Sequence, residues 1–177
     1  MAETFGRPNN EGRRLTVGVH TVSLKSVETK ETPNGNKYLD LLFASNDGVA
    51  SKKIWYPKLD EVKPKDNESP EAARKRVIDN FTGDVYEALD ALDAGEVIST
   101  IGVDDFANKA VSKLRSANAA KCKIVLQYDK DGKWPEFPRY RWATHISMEP
   151  DTSKFRMKPE GDTPKKESAI NNAGDLF

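Results

Sequence analysis

Aromatic and basic side chains recur together in the strand-like parts of this sequence. All three tryptophans, Trp55, Trp134 and Trp142, lie in such regions, and a Lys or Arg stands close to each of them. The bases of a single-stranded polynucleotide stack on aromatic rings, while Lys and Arg neutralise its phosphates. The residues that combine these properties form a candidate nucleic-acid-binding set: Lys25, Lys37, Tyr38, Lys52, Lys53, Trp55, Trp134, Phe137, Arg139 and Arg141.

The same rings have an alternative role as core residues. Strand alternation places Tyr140 and Trp142 opposite the neighbouring arginines, which favours burial of these two rings. For Trp55 and Tyr38, base stacking and core packing both remain open. Trp134 follows a turn, where it either stacks on a base or closes the hairpin.

Motifs for catalysis are absent from the sequence. It contains neither Gly-x-x-x-x-Gly-Lys-Ser/Thr nor Gly-x-Gly-x-x-Gly, and its one Cys and two His do not complete a zinc site without carboxylates. Nuclease-like acid-x-Lys pairs occur at Glu28-x-Lys30 and Asp131-x-Lys133, but the single Pro-Asp pair, Pro150-Asp151, follows both. We therefore expect no enzyme, no cofactor and no metal, and a nuclease-like enzyme is only a third choice.

Three strands precede a helical segment. Alternating patterns predict strands at 18–28, 37–44 and 50–56, joined by turns at 33–36 and 46–48. The Asn-Gly and Asp-Gly pairs in these turns accept the positive φ that a tight turn requires. The predicted core face of the second strand carries Leu39, Leu41 and Phe43, and its other face carries Tyr38, Asp40 and Leu42.

Three helical stretches are predicted in an insertion at about 69–117. Ser69 is the predicted N-cap of the first, with Pro70 at its first position. Gly83 interrupts the apolar pattern and separates the first stretch from the second, which Gly95 ends. Asp104 is the predicted N-cap of the third.

Two further strands, 122–128 and 137–146, form a predicted hairpin across the turn at 129–133. Cys122 lies in an apolar run and is predicted to be a buried thiol, which fits a reducing compartment. In the second of these strands, alternation predicts one core face and one open face. The core face would carry Tyr140, Trp142, Thr144, Ile146 and Met148, and the open face Phe137, Arg139, Arg141, Ala143 and His145.

Charge is unevenly distributed in a chain whose formal net charge is zero. Basic residues outnumber acidic ones by eight to four over 13–58 and by six to four over 121–149. Over 59–120 the acids lead by thirteen to eight. The predicted strands are therefore basic and the helical insertion is acidic, so a neutral total conceals a positive sheet face.

The two ends of the chain are polar and lack periodicity. Residues 1–14 are predicted to be a flexible arm, and 150–177 a disordered tail after a domain at 15–149. The tail ends in Asp175, Leu176 and Phe177, which form a candidate hook for a protein partner. No apolar run is long enough for a membrane span or a secretory signal, so we expect a cytoplasmic protein without membrane contact.

Three strands, helices and two strands follow one another in the order of the oligonucleotide-binding (OB) barrel, whose binding face lies on strands two and three. In 18–24, 35–43 and 121–126, the sequence resembles phage-encoded single-stranded DNA-binding proteins. The resemblance implies a five-stranded OB-type barrel, mainly β with a helical insertion, that coats single-stranded DNA in the host cytoplasm. It implies a role in DNA replication, recombination or repair, with replication or recombination proteins as partners of the tail. The alternative is an adaptor or virion-associated protein that uses the helices and tail for protein contacts.

Overall fold

The computed structural model of the chain describes residues 12–139 and 144–158. The predictions for Tyr140, Arg141, Trp142 and Ala143 lie outside the described residues, as do those for 1–11 and 159–177. The described residues form six strands, two α-helices and one 3-10 turn. In chain order they are β1 Gly18–Glu31, β2 Lys37–Ser45, β3 Gly48–Trp55, α1 Pro70–Ala91, α2 Val103–Ser116, β4 Lys121–Tyr128, β5 Pro135–Glu136, β6 Ile146–Ser147 and the 3-10 turn Thr152–Lys154.

The strands form a mainly antiparallel, curled half-barrel accompanied by two helices, which confirms the predicted mainly β, barrel-like class. Sheet order is β3-β2-β1-β4, so the fourth strand returns beside the first after the helices, which is a Greek-key arrangement. The long strand β1 pairs with β4 through Gly18–Ser23 and with β2 through Ser23–Glu31. A register shift between Leu24 and Ser26 lies near this change of partner, where a bulge bends the strand.

The predicted alternation of β2 and β3 is confirmed. Leu39, Leu41 and Phe43 have no exposed surface, and Ile54 of β3 is 2% exposed beside them. They pack in one core with the apolar face of α1, which contributes Phe81, Val85 and Leu89 among others. Because side chains of a strand point alternately to its two faces, Tyr38, Asp40 and Leu42 are left on the outer face.

The helical segment lies between β3 and β4, as predicted, but contains two helices instead of three. Ser69 caps α1 as predicted, and its hydroxyl accepts a hydrogen bond from the Ala72 N–H at 3.1 Å. The predicted break at Gly83 is wrong, because this glycine is exposed within a continuous α1. Gly in a helix costs only about 0.5–1 kcal/mol relative to Ala, which the packing of the buried face outweighs.

The second helix begins one residue before the predicted N-cap. Its cap residue is Gly102, which supplies no side-chain hydrogen bond, and Asp104 lies inside the first turn. Asp105 takes part of the capping role, since its carboxylate accepts the Ile101 N–H at 3.1 Å. The prediction was wrong because a carboxylate favours any position in the first turn through the helix dipole.

The predicted continuous strand at 137–146 is replaced by two short strands, β5 and β6, which both pair with the outer edge of β4. Pro138 has no N–H, so it cannot donate a hydrogen bond to β4. The Val125 N–H of β4 donates to the carbonyl of His145, further along the chain, at 2.8 Å. β5 and β6 pair with β4 in different registers. The single alternation of core and open side chains predicted for 137–146 is therefore wrong. His145 is 2% exposed instead of open to solvent, whereas Thr144 and Met148 are exposed instead of core.

Residues at both predicted borders of the domain contact its body. Arg14 forms a parallel bridge with Val49, and the Arg13 carbonyl accepts the Val49 N–H at 2.7 Å. Gly48 has φ +150°, and a Cβ there would meet the Arg13 oxygen at 2.3 Å, so this close approach requires glycine. At the other end Phe155, within the predicted tail, is 8% exposed. Within the described residues, neither helix is long and apolar enough to cross a bilayer.

Glu68 anchors the loop before α1 and gives the fold a predictable acid sensitivity. Its carboxylate accepts hydrogen bonds from Arg76 at 2.8 and 3.1 Å and from the Lys65 N–H at 2.9 Å. These bonds, that of Arg76 foremost, lower the pKa of Glu68 from 4.5 to about 2. Because the folded pKa is lowered, the stabilisation is present above pH 4.5 and is lost as the pH falls toward about 2.

We expect Glu68→Gln to lower the free energy of unfolding at neutral pH and to weaken its decrease between about pH 4.5 and 2. Urea denaturation across this range measures both effects. Glu149→Gln, at an exposed position in a bend, is the control. An unchanged pH dependence in Glu68→Gln would contradict the prediction.

Candidate nucleic-acid interface

The outer face of β2 and β3 presents side chains in cross-strand rows. Tyr38 lies opposite Trp55, Asp40 opposite Lys53, and Leu42 opposite Ser51. The first row is aromatic and the second is charged. This arrangement follows from strand alternation, because successive side chains point to opposite faces of the sheet. The buried leucines of β2 point to the inner face, so the residues between them and their partners on β3 point to the outer face.

Tyr38 and Trp55 form an aromatic pair at one end of this face. Their ring centroids lie 4.7 Å apart with the planes tilted by 43°, and Trp55 is 48% exposed. The Lys53 ammonium lies 5.1 Å from the centroid of the Tyr38 ring, within cation–π range. Of the two roles that the sequence leaves open for Trp55, core packing is therefore excluded by its exposure. The pair offers an exposed indole backed by a second ring and a cation.

Asp40 occupies the centre of the same face. Lys30 donates to it at 2.6 Å, and the Ser51 hydroxyl also donates to its carboxylate. Partial burial raises the pKa of Asp40, but the bonds from Lys30 and Ser51 outweigh this and lower it overall. The same ion pair raises the pKa of Lys30. Asp40 thus stays ionised, and this part of the face is unfavourable for a phosphate.

A groove of about 810 Å³ follows the outer edge of β3, the edge that carries the Arg14–Val49 bridge, and we call it the edge groove. Residues from the start of the described chain, from β3 and from the segment after β5 line it together. Its basic members are Arg14, Lys52, Lys53 and Arg139, its acidic members are Asp84 and Glu136, and its aromatic members are Trp55 and Phe137. Trp55 of the aromatic pair also lines the groove, as does Lys53, which contacts Tyr38. The edge groove and the aromatic pair therefore form one continuous surface.

Two members of the predicted binding set are more buried than a surface role requires. Lys52 shares the inner parity of Ile54 and is only 8% exposed, so its expected place at the open surface is wrong. Phe137 is half-buried and packs on Phe43, with ring centroids 6.1 Å apart. Both still line the edge groove. They form its floor, where Lys52 can reach a ligand but Phe137 has one face against the core.

A buried polar chain lies behind that floor. The Glu87 carboxylate of α1 accepts the backbone N–H groups of His145 and Ile146 at 2.7 and 2.9 Å, and it lies 3.2 Å from His145 Nδ1. His145 Nε2 in turn contacts the Lys52 ammonium. Burial raises the pKa of Glu87, although the two backbone bonds and Lys52 act in the opposite direction.

The remaining predicted residues are dispersed. Lys25 is exposed at the bulge of β1, and Lys37 lies on the helical side of the sheet in a 3.5 Å ion pair with Asp104. Trp134 is 66% exposed in the β4–β5 turn and is not among the described residues that line the groove. Arg139 is in the groove, 3.8 Å from Glu136, while Arg141 lies outside the described residues.

Sequence reasoning left Arg14 out of the predicted binding set and missed the whole Glu87–His145–Lys52 chain. Arg14 had a signal, because two arginines directly precede the apolar Leu15, which is 2% exposed. The Glu87–His145–Lys52 chain had no signal in the sequence, since Lys52 and His145 are 35 and 58 residues from Glu87 along the sequence. Only packing of α1 against the β6 region brings them together.

No group of three or more His, Cys, Asp or Glu side chains within 12–139 and 144–158 is arranged to hold a metal ion. Burial raises the pKa of Cys122 to about 11, so this thiol stays protonated at neutral pH and is a poor nucleophile.

Comparison with known proteins gives no relative from which a function can be transferred. The chain matches no protein-family model, and no curated protein is significantly similar to it. The surface formed by the aromatic pair and the edge groove is therefore the feature from which a function can be inferred.

Proposed function

We propose that this chain is a non-enzymatic single-stranded DNA-binding protein of the OB class, similar to those encoded by phages. The observation that carries the proposal is the exposed Tyr38–Trp55 pair on the outer face of β2 and β3, continuous with a groove lined by four basic residues. Base stacking and phosphate neutralisation on adjoining surfaces are what a single strand requires.

The topology supports assignment to the OB class. An OB fold is a partly open five-stranded Greek-key barrel that binds oligonucleotides on its second and third strands. This chain has the Greek-key order β4-β1-β2-β3, with helices between β3 and β4 and the short β5 and β6 in the fifth place. The edge groove opens between β3 and β5, where a closed barrel would pair its strands.

Electrostatics indicate how a strand would lie. Trp55 is the ring with the most accessible face of the pair, so a base would stack there. The ionised Asp40 disfavours phosphate at the centre of the sheet face, whereas Lys53, Arg14 and Arg139 attract it toward the edge groove. In this arrangement the bases point to the aromatic pair and the backbone follows the groove.

The biological role proposed is coating of exposed DNA strands during replication, recombination or repair, in the host cytoplasm if the chain is phage-encoded. Bound protein would block nucleases and re-annealing without any chemical step. Recruitment of replication or recombination proteins through Asp175, Leu176 and Phe177 stays a prediction from the sequence.

The alternative of an adaptor protein has one observation in its favour. Val97 and Ile101, in the connection between α1 and α2, are 91% and 97% exposed. Exposed apolar side chains of this kind suit a protein contact. A folded protein that binds no oligonucleotide at low salt would favour this alternative.

The direct test is anisotropy titration of a labelled dT oligonucleotide at two salt concentrations. Single-strand binding has a salt slope of about −0.7 per neutralised phosphate, so three contacts predict an affinity loss of about 20-fold between about 50 and 200 mM salt. Arg139→Ala should make the slope shallower by about 0.7. Arg74→Ala, at an exposed position on α1, should leave the slope unchanged. Affinity that is independent of salt would contradict the proposal.

A further inference from the structure

The Glu87–His145–Lys52 chain connects α1 to the floor of the edge groove. Its three members come from different elements: α1, the segment before β6, and β3. His145 and Lys52 are 2% and 8% exposed, yet both line the groove. Two ionisable side chains therefore lie at the base of the proposed phosphate path, mostly shielded from bulk water.

Hydrogen-bond chemistry defines the resting protonation of this chain. A lysine ammonium only donates, so the His145 Nε2 that contacts Lys52 must accept. A neutral imidazole then carries its proton on Nδ1, which lies 3.2 Å from the Glu87 carboxylate. With an ammonium at Lys52, the imidazole of His145 is thus neutral and lies between the Lys52 ammonium and the Glu87 carboxyl group.

The surroundings make this arrangement sensitive to an incoming charge. The Phe137 ring lies 5.4 Å from the Lys52 ammonium and 5.9 Å from the His145 ring, so one wall of the floor is apolar. Charges interact more strongly where water is excluded than at an open surface.

We propose that Lys52 and His145 form a phosphate subsite at the floor of the edge groove, at which binding of a nucleic-acid phosphodiester is coupled to protonation of His145. The inference rests on the proposed function, since it names the part of the DNA that reaches the floor and how pH regulates its binding. When the phosphate enters, Lys52 donates to one of its oxygens. The hydrogen bond from Lys52 to Nε2 of His145 breaks in this step, and Nε2 takes a proton from solvent and donates to the same phosphate.

The balance of charges around His145 explains why the phosphate is required. Lys52 of β3 and Arg139 beyond β5 disfavour a second positive charge, whereas Glu87 and Asp84 of α1 favour it. The phosphate adds negative charge on the groove side and favours the imidazolium. Because burial also raises the pKa of Glu87, the decisive measurement has to follow the imidazole itself.

His145 can be followed directly by NMR, because the sequence contains only two histidines. His20 of β1 bonds to the Thr16 carbonyl at 2.7 Å and is not among the described residues that line the groove, so His20→Gln leaves His145 as the single imidazole signal. NMR then follows that signal with and without a saturating dT oligonucleotide, between about pH 5.5 and 8.5, around the ordinary imidazole value of about 6.5.

We expect the oligonucleotide to raise the titration midpoint of His145 by about one pH unit. Affinity should accordingly rise by about tenfold in total as the pH falls through the midpoints of the bound and the free protein. In the His20→Gln background, Lys52→Gln should reduce both effects, because the phosphate loses its second donor.

The outcomes separate the two levels of the proposal. An oligonucleotide that binds without moving the His145 midpoint overturns the subsite and leaves the proposed function standing. A midpoint shift that Lys52→Gln does not reduce also overturns the subsite, because distant phosphates would then account for it. Absence of binding at low salt across the whole pH range removes the proposed function itself.

Discussion

Trp55→Ala is expected to weaken binding of a dT oligonucleotide by about five- to 150-fold. Stacking of one base on an aromatic ring contributes about 1–3 kcal/mol, and each 1.36 kcal/mol corresponds to a factor of ten. Trp55 is 48% exposed at the end of β3, and the ring of Tyr38 supports it from 4.7 Å away. Anisotropy titration at a fixed low salt concentration measures the loss.

The salt dependence of this variant provides a second readout. Removing a ring removes no phosphate contact, so the slope of affinity against salt should match that of the unmodified chain. Arg139→Ala should behave in the opposite way, with a shallower slope. The two variants together separate base stacking from phosphate neutralisation.

Trp134→Ala is the matched control for Trp55→Ala. Trp134 is even more exposed, at 66%, but it lies in the β4–β5 turn. A large loss in Trp55→Ala with a small one in Trp134→Ala would locate stacking on the sheet face. Unchanged affinity in Trp55→Ala, with a folded protein, would contradict the proposed interface.

Phe43→Ala is expected to have the largest effect on stability, about 3–5 kcal/mol. Its side chain has no exposed surface, and it contacts the Phe137 ring that lines the edge groove. Truncation removes the buried ring and leaves a cavity. Because β2 pairs with β1 on one side and β3 on the other, the backbone can move only a little to fill it. A loss of this size is a large fraction of the total stability of an ordinary domain, about 5–15 kcal/mol.

Urea denaturation followed by circular dichroism measures this loss. Val97→Ala is the control, because Val97 is 91% exposed and surface changes usually stay within about 0.5 kcal/mol. A Phe43→Ala variant as stable as Val97→Ala would show that the core is not centred where the structure places it. Its folded fraction should also bind DNA less tightly, since Phe137 loses its support.

Local patterns were sufficient where neighbouring residues decide the structure. The turns at Gly35 and Gly132 adopt the positive φ that their Asn-Gly and Asp-Gly pairs predict. The Ser69-Pro70 pair begins α1 because the hydroxyl, the proline ring and the next N–H groups are all adjacent in the chain. Alternation in β2 likewise separates the buried leucines from Tyr38.

Local patterns failed where distant residues compete. The strand predicted at 137–146 has good alternation, but its pairing with β4 depends on ladder bonds that Pro138 cannot donate. Gly83 predicts the end of a helix, but α1 continues past it because the packing of α1 against the core stabilises the helix. In both places, interactions with residues outside the segment decide which secondary structure forms.

The sequence by itself determined a mainly β chain with helices between its third and fourth strands, and an aromatic and basic outer face on β2 and β3. These follow from side-chain periodicity, which the backbone geometry of a single element imposes. Only the tertiary structure decided that Arg14 reaches the edge groove and that Glu87, His145 and Lys52 meet. Those outcomes depend on how the half-barrel curls and where α1 lies against it, because contacts between residues far apart in the chain arise from packing and leave no local pattern to read.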